Sequence, residues 1–245
     1  MNEFNLASGK LNVGGLFSKA IETFRAKLQF FVFTGLLVGI GNLAVASSGL
    51  EAGHVSSVGL AVIGVILTIF LGLLGEVVAV RATAGPLGAN AGAEFVPALQ
   101  SALPKVLPLL LTLVLVWIVV FLGLIALVIP GVILAIMLML SVAACILEDR
   151  SPVEALKRSR ELTRGNRWRL LGLVVLMIVA ALGFGLVLAI PVGIASLAPG
   201  LGGMVAKVIS SAGNGLFSVF VMVLFTHAFL DLRRLKEASG PAPLV

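Results

Sequence analysis

The chain has 245 residues, of which 60% are hydrophobic and only 11% charged, and its mean hydropathy is +1.18. A soluble domain draws about a quarter of its residues from Asp, Glu, Lys and Arg, so no water-facing surface can be built from this supply, and the hydrophobicity excludes disorder. The formal net charge is +6, from 17 basic and 11 acidic residues; the basic residues flank apolar runs, which points to membrane topology rather than nucleic-acid binding.

The first predicted element is an amphipathic helix over residues 16–25. At 100° per residue, Leu16, Phe17, Ala20, Ile21, Phe24 and Leu28 share one arc, and Lys19, Glu22 and Arg25 face away. Uncharged stretches then cover 28–50, 52–75, 106–147, 170–206 and 208–230. About 20 helical residues cross a bilayer core of about 30 Å. The runs are continuous rather than alternating, which selects helices over a β-barrel. The expected fold is therefore all-α and polytopic, with six transmembrane helices over 29–47, 58–80, 106–129, 132–147, 170–190 and 209–230. Pro130-Gly131 is expected to break the long third stretch into two helices. Residues 191–207, with Pro191, Pro199 and four glycines, read as a loop or a re-entrant segment. Ala44-Val45-Ala46 resembles a signal cleavage site, but the long, patterned stretch before it favours an uncleaved first helix.

Two further amphipathic stretches precede odd-numbered spans. One covers 95–103, with Phe95, Ala98, Leu99 and Ala102 on one side and Pro104 after its end. In the other, Ser151-Pro152-Val153-Glu154 reads as a capping box with proline at the first helical position, and Gly165 as the stop. Ala155, Leu156, Ser159 and Leu162 share its apolar face. One membrane domain over 1–236 with a tail over 237–245 thus divides into three helix-plus-hairpin units, about 13–80, 93–147 and 151–232. The amphipathic helices are expected to lie in the headgroup region, apolar face down.

Sixteen of the 17 Lys and Arg residues fall on one side of this topology, Lys207 alone on the other. The positive-inside rule places both termini in the cytoplasm. Lys157, Arg158, Arg160, Arg164, Arg167 and Arg169 form the densest basic cluster and are the candidate contacts for anionic lipid headgroups. Trp168 beside them fits an interfacial anchor.

Four stretches carry a resemblance: Ile129-Pro130-Gly131-Val132-Ile133, Ile146-Leu147-Glu148-Asp149, the run from Ser151 through Ser159, and Leu162-Thr163-Arg164-Gly165-Asn166-Arg167-Trp168. Together they resemble the bacterial membrane domain associated with glycerophosphoryl diester phosphodiesterases and related stand-alone inner-membrane proteins. That resemblance implies membrane architecture. It does not imply phosphodiester hydrolysis, because the chain has no His/Glu/Asp set for a metal-dependent phosphodiesterase.

Few polar groups remain for chemistry. Glu76 is the acidic residue inside a span, where a charge costs roughly 2.5–3.5 kcal/mol on insertion scales. It precedes Arg81 by five residues, about 7.5 Å of rise. Either it pairs with a basic group near the interface, or it lines an ion or substrate path. His227 and Asp231 share one face of the last helix, as a polar cap or half a metal site. Glu148 and Asp149 are expected to pair with Arg158 or Arg164. Gly35 with Gly39, and Gly72 with Gly75, permit close helix packing within the chain or in a homodimer. Cys145 reads as a small buried hydrophobe. No catalytic residue, metal site or cofactor is expected. The reading is a non-enzymatic module engaging membrane lipids or organising protein partners of the envelope. The alternative is a small-molecule transporter or lipid-translocating protein.

Overall fold

The computed structural model describes residues 11–47, 58–85, 91–198 and 201–238. Lys10, His54, Pro199, Gly200 and the tail beyond Ala238 lie outside the described residues. In chain order the helices are α1 (Val13–Ala26), α2 (Leu28–Ser47), α3 (Val58–Ala84), α4 (Ala91–Ala126), α5 (Val128–Leu138), α6 (Ser141–Leu147), α7 (Pro152–Thr163), α8 (Arg167–Ser196) and α9 (Gly202–Ala238). Among the described residues, six stretches are long and apolar enough to cross a membrane: Leu28–Ala46, Ala61–Ala84, Ala93–Ala126, Val128–Leu147, Arg167–Ser196 and Gly202–Ala238. The protein is a helical, multi-pass membrane protein.

Local signals start the two separate amphipathic helices. Asn12 caps α1 by accepting from the Gly15 N–H at 3.0 Å. Ser151 caps α7, its N–H donating to Glu154 Oε2 at 3.2 Å, with Pro152 at the first helical position. Gly165, at φ +94°, turns the chain from α7 into α8.

Helix α9 runs through the bundle and packs on α2, α3, α8 and α1. Small residues allow the approach. A Cβ on Gly215 would strike the Gly35 carbonyl oxygen, and one on Gly41 would come within 2.8 Å of the Thr68 Cα. Helices α4 and α8 face outward; only 11% of the most apolar window of each is buried. Leu186, Val187, Ile190 and Ile194 of α8 are all exposed. A patch of that kind needs lipid rather than water around it.

Five expectations are corrected. The apolar faces of α1 and α7 do not point into the headgroup region; they are spent on protein. Leu16 and Ala20 of α1 are fully buried, and Phe17 and Phe24 meet Phe220 of α9 edge-on at 5.6 and 5.8 Å. Ala155, Ser159 and Leu162 of α7 are equally buried, against α4, α5 and α6. The 95–103 stretch is not a separate helix but the opening turns of α4, although Ala98 and Ala102 are buried as its pattern requires. Pro104 and Pro108 both sit inside α4, as helices in lipid tolerate proline. One turn after Pro108, Thr112 Oγ1 donates back to the Pro108 carbonyl at 2.8 Å.

The hairpin break falls at Leu127, in extended conformation, rather than at Pro130-Gly131. Proline is at ease in a first helical turn, where its missing N–H has no partner to lose. Gly131 presses on Leu124 and Gly123 across the hairpin. The fourth span is itself interrupted at Met139–Leu140, between α5 and α6. Finally, α8 continues through Pro191 to Ser196 and α9 starts at Gly202, so among the described residues of the breaker-rich segment only 197, 198 and 201 lie outside helices.

Candidate functional site

The basic cluster divides in two. Arg158 and Arg169 are structural. Arg158 Nε donates to Glu148 Oε2 at 3.0 Å and its Nη2 to Oε1 at 3.1 Å, while Arg169 donates to the Leu11 carbonyl. Glu148 also takes Arg150 at 2.6 Å. Burial alone would push the Glu148 carboxyl up, but hydrogen bonds and charge from Arg158 and Arg150 outweigh it and hold the group below its usual range. Asp149 pairs with Lys105 rather than with Arg158 or Arg164.

The other four cations, Lys157, Arg160, Arg164 and Arg167, line one cleft of about 780 Å³, with Glu161 the single carboxylate among them. Next to it lies an apolar groove of about 390 Å³, formed by Val128, Ile129, Val132, Ile133 and Ile136 of α5 and Leu171 of α8. Arg167 and Trp168 line both. The groove follows α5 for about 12 Å at the helical rise. Arg167 Nε is buried and has no hydrogen-bond partner. Trp168 is 84% exposed, so the protein leaves an indole at the seam between cations and hydrocarbon.

Ser159 fixes the groove's wall. Its hydroxyl donates to Met137 O at 2.7 Å and accepts from Leu140 N–H at 3.2 Å. Both bonds fall where α5 ends, so α7 takes up backbone groups that the break would orphan. Sequence reasoning missed both this tie and the groove, because 128–136 was assigned to the far end of a full hairpin.

Glu76 lies at a second place. A cavity of about 400 Å³ opens between α2, α3, α4 and α9, and Glu76 is the charged residue in its lining. The rest is mostly aliphatic, with Thr68, Trp117 and Ser218 as polar exceptions. Arg81, the nearest cation along α3, donates instead to Ser101 O and Oγ at 2.9 and 3.0 Å. Residues five apart on a helix stand about 140° apart around it, so the two charges look in different directions.

His227 and Asp231 tie α9 to α1. His227 Nε2 lies 2.9 Å from Thr23 Oγ1, and Asp231 accepts Lys19 Nζ at 2.7 Å. Among the described residues, no cluster of three or more His, Cys, Asp or Glu side chains could hold a metal. Lys27, its pKa lowered by burial against the opposing charge of Glu94, caps the end of α3 through the Ala82 and Gly85 carbonyls. Gly35 and Gly39 face α9 within the chain, Gly75 meets Val38, and Gly72 faces open space. Cys145 is buried.

Residues 77–232 match a family described as a domain of unknown function, DUF7847. The chain belongs to that family. The DUF7847 region runs from within α3 to near the end of α9, so it contains the basic cleft and the apolar groove whole and begins one residue after Glu76. No curated protein and no solved structure matches the chain.

Proposed function

We propose that this protein is a non-enzymatic inner-membrane module that holds an anionic phospholipid at the basic end of its bundle. The observation that carries the reading is the shared lining: Arg167 and Trp168 border a cationic cleft on one side and an apolar groove on the other. A phospholipid has that same order of parts. Its phosphate would accept from the guanidinium groups of Arg160, Arg164 and Arg167, which suit phosphate oxygens in geometry as well as charge. An acyl chain would lie along Val128, Val132 and Ile136, and the Trp168 indole would sit at the boundary. The resemblance of 129–168 to the membrane domain associated with glycerophosphoryl diester phosphodiesterases supports the same reading. So does the charge bias, which puts the cleft in the cytoplasmic leaflet.

Trp117→Phe leaves Trp168 as the one tryptophan. In nanodiscs, brominated phosphatidylglycerol is expected to quench it more strongly than brominated phosphatidylcholine. R160E/R164E/R167E should abolish the difference; at about 1 kcal/mol per cation, the preference should fall by two orders of magnitude. Equal quenching by both lipids in the parent protein would refute the reading.

The cavity at Glu76 favours a second reading, a lipid-translocating protein or small-molecule transporter. Lipid flip in proteoliposomes that is lost in Glu76→Gln would support it over the first.

A further inference from the structure

The cavity between α2, α3, α4 and α9 is lined at the depth of the spans. By helical rise, Glu76 lies about 12 Å from the Ala84 end of α3, well inside a bilayer core of about 30 Å. Its volume, about 400 Å³, falls in the range of small-molecule sites. On the rim, Ile69 of α3 and Val114 and Trp117 of α4 are exposed on the outside of the bundle. The opening is therefore lateral, toward lipid.

Two features of the sequence make the space. Gly72, one turn from Glu76 on the same face, leaves room: a Cβ there would meet nothing within 4 Å. Thr68, one turn further, has its hydroxyl committed to the Gly41 and Gly64 carbonyls, at 2.6 and 2.9 Å. Ser218 and Trp117 add neutral polar groups to the lining, and Glu76 is its one charged residue. No hydrogen bond or ion pair holds that carboxylate among the described residues. Arg81, the nearest cation along α3, is bound to Ser101, and Lys27 to the Ala82 and Gly85 carbonyls at the end of that helix. A carboxylate inside hydrocarbon calls for a counter-charge with hydrogen-bonding protons. The described side chains do not supply one.

We propose that this cavity binds a lipophilic amine, a hydrocarbon body bearing one ammonium group, which enters from the lipid phase and pairs with Glu76. The ammonium answers the carboxylate, and the hydrocarbon fills the space beside Val38, Leu113 and Met222. The site shares no residue with the basic cleft, so it stands or falls independently of the phospholipid reading.

The test uses the full chain carrying Trp168→Phe, so that Trp117 on the rim is the sole fluorophore, in phosphatidylcholine nanodiscs. Nitroxide-labelled dodecylamine, dodecanol and dodecanoic acid are titrated as quenchers. The amine is expected to quench Trp117 saturably and at least about tenfold more tightly than the alcohol or the acid. Glu76→Gln should erase that margin and leave alcohol quenching unchanged. Gly72→Leu, which fills the cavity and keeps the carboxylate, should abolish saturable quenching. R160E/R164E/R167E should change nothing. Equal affinity for amine and alcohol, an amine margin that survives Glu76→Gln, or saturable quenching that survives Gly72→Leu would overturn the proposal.

Discussion

At the residue scale the acidic side chains divide by what reaches them. Glu148 sits 9% exposed under Arg158 and Arg150, and its folded pKa lies below the value of 4.5 for a free carboxyl. A depressed carboxyl contributes stability above its unfolded pKa, and that contribution is lost as pH falls through the lower folded value. Melting temperature in detergent should therefore fall below about pH 4.5 in the parent, and Glu148→Gln should flatten that decline. At pH 7 the substitution should cost about 1.5–3 kcal/mol, the range for hydrogen bonds to charged groups. The Glu148–Arg158 pair could be anticipated because the two groups lie ten residues apart across one turn. Asp149 could not be placed so easily: its partner Lys105 comes from another helix, and sequence order does not reveal that neighbour. Glu76 was recognisable as unusual from its apolar surroundings alone. That it lacks a partner depends on Arg81 turning toward Ser101, which only the packing reveals.

At the element scale, hydropathy located the six spans but not their breaks. Proline and glycine were read as interruptions, yet Pro104, Pro130 and Pro191 all lie within helices. In lipid the backbone has no water to turn to, so helices persist through residues that would end them in a soluble protein. The true break at Met139–Leu140 carries no breaker residue; it exists because Ser159 satisfies the freed backbone groups. Ser159→Ala leaves a buried carbonyl and N–H unpaired and should cost about 1–3 kcal/mol in an unfolding titration, with more than one group exposed to the penalty. Glycines offer a second check. Gly215→Ala drives a methyl group into the Gly35 carbonyl and should lower the melting temperature clearly, whereas Gly72→Ala, facing open space, should leave it unchanged.

At the scale of the whole molecule, scarcity of charge governs the design. The chain has 28 charged side chains in 245 residues; at the basic end Lys19, Lys105, Arg158 and Arg169 tie separate segments together, and Lys157, Arg160, Arg164 and Arg167 stand around one cleft. The amphipathic helices α1 and α7 illustrate why pattern alone misleads: an apolar stripe says that something covers a face, and protein did so where lipid was expected. Topology is directly testable. In a Cys145→Ser background, single cysteines at 160 and 237 should react with a membrane-impermeant thiol reagent only from the cytoplasmic side, and one at 204 only from the opposite side.

In the proposed site Arg160, Arg164 and Arg167 seat an anionic phospholipid beside the α5 groove. Native mass spectrometry after reconstitution with equal amounts of phosphatidylglycerol and phosphatidylcholine addresses it most directly. One tightly retained phosphatidylglycerol on the parent protein, lost in R160E/R164E/R167E and kept in Arg158→Gln, is the predicted result. Equal retention of the two lipids by the parent, or a triple variant that still holds phosphatidylglycerol, would contradict it.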